Sequence, residues 1–149
     1  MSSNHQRKNA RSNSHVGREF EAAARLFFQK TGLALEPDFT VPVGYSQKKL
    51  HRFDLGSAEP PILVECKSYT WTETGKSPSA KIRGMNEAML LFSLAPASHR
   101  KILFVLKDVH PRRNISLARH YIGTQGHLIA PAVEVWEFDL SVGTADRLL

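Results

Sequence analysis

The stretch His51-Arg52-Phe53-Asp54-Leu55-Gly56, a Ser-Ala-Glu-Pro-Pro connection, and Ile62-Leu63-Val64-Glu65-Cys66-Lys67 constrain this chain more than any other part of it. Two apolar runs around a Gly/Pro-bearing connection predict a β-hairpin. Its midpoint falls between Glu59 and Pro60, so the simplest antiparallel register sets Asp54 opposite Glu65. Directly opposite residues share a face, and the two-residue strand period adds Lys67 to that face and turns Cys66 to the other. Two carboxylates so close repel each other unless a cation sits between them. Oxygen ligands of this kind suit a hard ion such as magnesium or manganese. The plainer alternative is a solvated hairpin end where Lys67 neutralises one acid.

The rest of the chain reads as alternating elements. Residues 1–14 predict a flexible basic arm carrying Arg7, Lys8 and Arg11, ahead of a single domain over 15–149. The first helix is expected from near Ser14 or Gly17, with Phe20, Ala23, Ala24, Phe27 and Phe28 as its apolar stripe and Gly32 as its stop. Leu35 to Val43 reads as a strand, and Pro37 and Pro42 suggest a sheet edge. The hairpin strands follow at about Phe53–Gly56 and Ile62–Tyr69. A second helix is expected over Ser79–Leu94, capped by Ser77 or Ser79, with Met85, Met89, Leu90 and Phe92 buried. Lys101–Lys107 is apolar enough for a central strand. A last helix over Ile115–Thr124 and a last strand over Val133–Phe138 complete the order.

Twenty Lys+Arg against fourteen Asp+Glu leave a formal charge of +6, an excess that favours a polyanionic partner. Basic residues recur close to the acidic pair: Lys48, Lys49, His51 and Arg52 before it, Lys76, Lys81 and Arg83 after it, and Arg112 and Arg113 beyond the next strand. Each cluster read singly is also an ordinary solvated loop. No apolar run has the length of a membrane span, and the lone Cys66 forms no internal disulfide, so a reducing, cytoplasmic setting is expected. Neither a Cys-x-x-Cys pair nor a His-Glu-x-x-His pattern suggests zinc.

Asp54, Glu65 and Lys67, in that order and spacing, resemble the PD-(D/E)xK nuclease superfamily, which includes restriction endonucleases and Holliday-junction resolvases. Phe53 stands where many members carry a proline. The resemblance implies an α/β fold with a restriction-endonuclease-like αβββαβ core, a mixed central sheet flanked by helices, plus an extra C-terminal helix and strand. It covers about residues 17 to 107. It further implies a magnesium- or manganese-dependent endonuclease acting on DNA, with Asp54, Glu65 and the Cys66 backbone carbonyl as metal ligands. Lys67 is then the residue that orients the attacking water. The first helix often supplies another acid, for which Glu21 is the candidate, ligating a second ion directly or through water. Otherwise Glu21 is an exposed acid pairing Arg25 at i+4. The lysines and arginines named around the acidic pair become DNA contacts, and cutting two strands calls for a homodimer. Two other functions fit the same residues: a catalytically inactive nucleic-acid-binding module, and an interaction protein with a structural ion network.

Overall fold

A computed structural model describes the backbone of residues 2–149 except Gly75 and Ser77, and side chains from His15 onward. The order is α1 (Ser2–Lys30), β1 (Glu36–Val43), β2 (Lys49–Ala58), β3 (Pro61–Lys67), α2 (Ser79–Leu94), β4 (Arg100–Leu106), α3 (Leu117–Gln125), a 3₁₀ turn (Gly126–Leu128), β5 (Val133–Asp139) and β6 (Thr144–Arg147). The six strands form one mixed sheet in sequential order. β1–β2–β3 is an antiparallel meander, β3, β4 and β5 run parallel, and β6 returns antiparallel to β5. No helix among the described residues is long and apolar enough to cross a membrane.

Helices cover both faces of the sheet. On one, the α1 stripe of Phe20, Ala24 and Phe28 packs on Ile62, Val64, Ile102, Phe104 and Phe138. Aromatic rings dominate there: Phe20, Phe27, Phe28 and Phe138 all lie within 6.0 Å of the Phe104 ring, centroid to centroid. On the other face α2 and α3 pack Met85, Phe92, Leu117 and Tyr121 on Leu63, Leu103, Val105 and Val135. β3 and β4, apolar on both faces, are therefore the buried middle of the sheet.

Several expectations hold. β1 is an edge strand, β4 is interior, α2 has the expected bounds, and Gly32 ends α1 at φ +94°. Others are corrected. α1 runs from Ser2, and the arm expected over 1–14 lies outside the residues whose side chains are described. β2 is longer than Phe53–Gly56, because β1 supplies a partner as far as Lys49. β3 ends at Lys67, two residues before Tyr69. Leu90 is 53% exposed rather than buried. At about 100° per residue it points well away from the Met85–Met89–Phe92 stripe. The first residue before α2 is Pro78, with no side-chain cap; Ser77 lies outside the described residues. β6 was not foreseen, since its four residues Thr-Ala-Asp-Arg carry no apolar alternation.

Candidate active site

β2 and β1 both break their side-chain alternation at one level of the sheet. Phe53 stacks on Phe92 of α2, 5.5 Å apart and 7° from parallel. Leu55, two residues on, packs instead with α1 on the opposite face. Phe39 and Pro37 divide the same way: Phe39 packs with the α2 cluster, and Pro37 lines a groove beside α1. The pairs Phe39↔Phe53 and Pro37↔Leu55 flank the break, which falls at Asp38 and Asp54. Asp38 takes a left-handed φ of 54°, which carries the chain through the switch. Gly56 assists from the next position. A Cβ there would meet the Phe39 ring and Cβ at 2.6–2.8 Å, so only glycine lets Phe39 lie across it.

The switch decides where Asp54 points. The β2/β3 register runs Ala58↔Pro61 to Leu55↔Val64, as expected, and the ladder stops there. At the next rung the Cys66 amide donates to Asp54 Oδ2 at 2.8 Å, so a carboxylate replaces a backbone carbonyl. The Asp54 amide in turn favours the ionised Glu65 carboxylate. Asp54 therefore turns toward β3 rather than standing on the Glu65 face, as plain alternation requires. From that position it meets acids on both sides of the sheet: Glu65 on β3 and Glu21 on α1.

Glu65 is buried, its Oε2 3.8 Å from Lys67 Nζ and its Oε1 3.8 Å from His51 Nε2. Burial first, then the Asp54 charge, pushes the Glu65 carboxyl up to about 8. Burial also raises Asp54, against the Cys66 amide and Lys67, which favour its ionised form. Glu21 is pushed to about 7 by burial, then by Asp54 and Asp38, and it shares a hydrogen bond with Asp54. Burial pulls the Lys67 ammonium down, but Tyr69, Glu65 and Asp54 outweigh it and leave Lys67 above its ordinary value. Lys67 Nζ also lies 5.6 Å from the centre of the Tyr69 ring. The Tyr69 hydroxyl rests against α2 at Gly84, where a Cβ would stand 2.5 Å from it.

Three acids with raised proton affinity beside a charged lysine are the donor chemistry that a hard cation relieves. Among the described residues no three His, Cys, Asp or Glu side chains stand together closely enough to hold an ion alone. Asp54 and Glu65 with a backbone oxygen and waters are a set that magnesium accepts, since it keeps several waters. The Cys66 side chain faces the α1 layer, where burial pushes its thiol up.

Glu21 does not pair with Arg25, whose Nε donates to the Leu35 carbonyl at 2.9 Å. Glu19 instead meets His15 at 2.8 Å, well exposed. The antiparallel β2 start and the β3 and β4 ends share one edge of the sheet, so Lys49 at the start of β2 and Lys48, Lys76, Arg112 and Arg113 on the adjoining loops lie along that edge. Lys81 joins them by donating to the Thr70 carbonyl at 2.9 Å. Arg52 is exposed on β2 opposite Thr40. Arg83 lies apart, in a groove between α2 and α3 with Asn86, His120 and Gln125. Trp71 packs against His110 and His120, its amide and indole bonded to Asp108, which ties the β3 exit to the β4 exit.

The sequence sets His51 among the basic residues just before Asp54 but gives it no part in the site. Its Nε2 is buried without a hydrogen-bond partner among the described residues, and its ring stands edge-on to Phe53 at 4.6 Å. Plain alternation sets it with Phe53 on the face away from Glu65, so no local signal marks it. Asp38 was also missed, because nothing local marks it as the partner of Asp54. No family model, curated protein or solved structure matches this chain.

Proposed function

We propose that this chain is a divalent-metal-dependent endonuclease that hydrolyses DNA phosphodiester bonds, on a restriction-endonuclease-like core. The single observation that carries this reading is the cluster at the end of β3. There Asp54 and Glu65, both with raised proton affinity, adjoin a Lys67 that stays charged. The element order α1–β1–β2–β3–α2–β4 supports it as the αβββαβ succession of that superfamily.

Asp54, Glu65 and the Cys66 carbonyl would hold the ion, which when bound supplies Lewis-acid stabilisation of phosphate charge and a more acidic water. Lys67, kept cationic by its neighbours, neutralises charge developing on the phosphate and orients the water attacking it. Glu21, which shares a hydrogen bond with Asp54, would ligate a second ion directly or through water. The basic loops at the same edge bind flanking phosphates, with affinity that falls steeply as salt rises. A second copy of the chain would supply the cut on the other strand. The single buried Cys66 suits a reducing, cytoplasmic setting.

A second reading, a catalytically silent DNA-binding module, is favoured by the lack of three converging acid, His or Cys side chains among the described residues. Incubation of pure protein with plasmid, linear, single-stranded and four-way-junction DNA, with and without manganese, separates the two. Metal-dependent cleavage lost in Glu65→Ala supports the nuclease. Retention of DNA without cleavage under every condition supports the module.

A further inference from the structure

A groove of about 580 Å³ runs beside α1, walled by Arg18, Glu21, Arg25 and Leu26 on the helix and by Pro37 and Leu55 on the strands. It exists because of the switch at Asp38 and Asp54, which turns Pro37 and Leu55 toward α1. Glu21 is both a wall of this groove and a neighbour of Asp54, so the groove opens directly onto the candidate catalytic acids.

We infer that this groove seats one unpaired nucleotide of the substrate strand next to the cleaved bond, an assignment that rests on the nuclease reading. Its size is that of a site for a small organic ligand, and a nucleotide unit is of that scale. Its chemistry is divided as a nucleotide is. Arg18 and Arg25, seven residues and thus about 10 Å apart along the helix, provide cations to backbone phosphates. Arg25 already spends its Nε on the Leu35 carbonyl, which holds its remaining donors in place. Leu26, 51% exposed, and Pro37, also exposed, offer apolar surface to a sugar or base. A duplex can place a nucleotide there only by unpairing and unstacking it, a cost that a single strand or branch avoids. The substrate class that follows is DNA with an unpaired strand at the cleavage point.

The test is fluorescence-anisotropy binding of a twelve-residue oligothymidylate and of a same-length duplex, in EDTA so that no turnover intervenes. The wild type should favour the single strand. Arg18→Ala and Leu26→Glu, both at exposed positions, should each weaken single-strand binding about tenfold. Arg18→Ala should also lower the salt slope by about one. Lys30→Ala, removing an equal charge from the last turn of α1, should change little. Wild-type affinity in both groove variants, or equal loss in Lys30→Ala, overturns the inference even if the protein cleaves DNA. Groove-dependent binding without any manganese-dependent cleavage upholds the groove and removes the nuclease reading instead.

Discussion

Cys66 donates its amide to the Asp54 carboxylate at 2.8 Å, at the rung where the β2/β3 ladder would otherwise continue. The bond makes Asp54 a structural member of the hairpin as well as a candidate ligand. Asp54→Asn should keep an acceptor for that amide and fold like the wild type, while metal-dependent cleavage falls at least a hundredfold. Asp54→Ala should lose the activity and also about 1–3 kcal/mol of stability, because the amide is left unsatisfied. Urea unfolding of the two variants beside a plasmid-cleavage assay reads both effects. Equal stability of Asn and Ala variants would deny the bond a structural part.

Titration supplies the second expectation. Folded Glu21 and Glu65 hold their protons to about 7 and about 8, against ordinary values of 4.5. Between those limits the folded state binds more protons than the unfolded one, so stability falls as pH rises. Burial lowers His51, His99 and His120, whose opposite contribution is complete near neutrality, so without divalent metal Tm should drop from pH 7 to pH 8.5, and Glu65→Gln should flatten the decline. Manganese should restore stability at the alkaline end, where the carboxylates are ionised and ready to bind it. A Tm that rises across this range in the wild type would contradict the raised carboxyls.

Tyr69 offers a way to disturb Lys67 without touching an acid. Gly84→Ala places a methyl 2.5 Å from the Tyr69 hydroxyl, which must move. The ring then leaves Lys67, 5.6 Å away at present, and part of what keeps that lysine charged is lost. Turnover should fall several-fold to tenfold with DNA affinity unchanged, and alanine in a helix should leave stability level or slightly higher. Lys67→Ala should lower turnover about a hundredfold, again with little effect on binding. If either change only loosened DNA in a salt-dependent way, Lys67 would be a phosphate contact.

Glu21 and Glu19 sit two residues apart on one helix and should behave oppositely. Glu21→Gln removes a carboxyl that shares a hydrogen bond with Asp54, and should reduce activity and manganese affinity about tenfold by isothermal titration. Glu19→Gln removes only an exposed pair with His15 and should leave both unchanged. Parallel loss in the two variants would make general helix charge the cause.

Gly56 supports the switch that brings these groups together. Gly56→Ala should cost about 1–3 kcal/mol, because the new methyl meets the Phe39 ring and Cβ with no flexible end to give way. Unchanged stability would mean that Phe39 has another place to pack.

Much of this protein is legible in its residue pattern. The apolar runs predict β3 and β4, the three- and four-residue steps predict α1 and α2, and Pro37 and Pro42 predict the edge. The hairpin register follows from the Glu59–Pro60 midpoint, and so does the approach of Lys67 to Glu65, because strand period alone relates residues two apart. The tertiary structure decided what local pattern cannot encode. Alternation assigns Asp54 to one face, but packing Phe53 on Phe92 and Leu55 against α1 forces β2 to cross between them. That crossing turns Asp54 toward Cys66, joins Glu21 to the group from the far face, and brings His51 beside Glu65. A side chain's direction at a break in a strand is set by the two cores on either side of it, and those cores are assembled from residues distant in the chain.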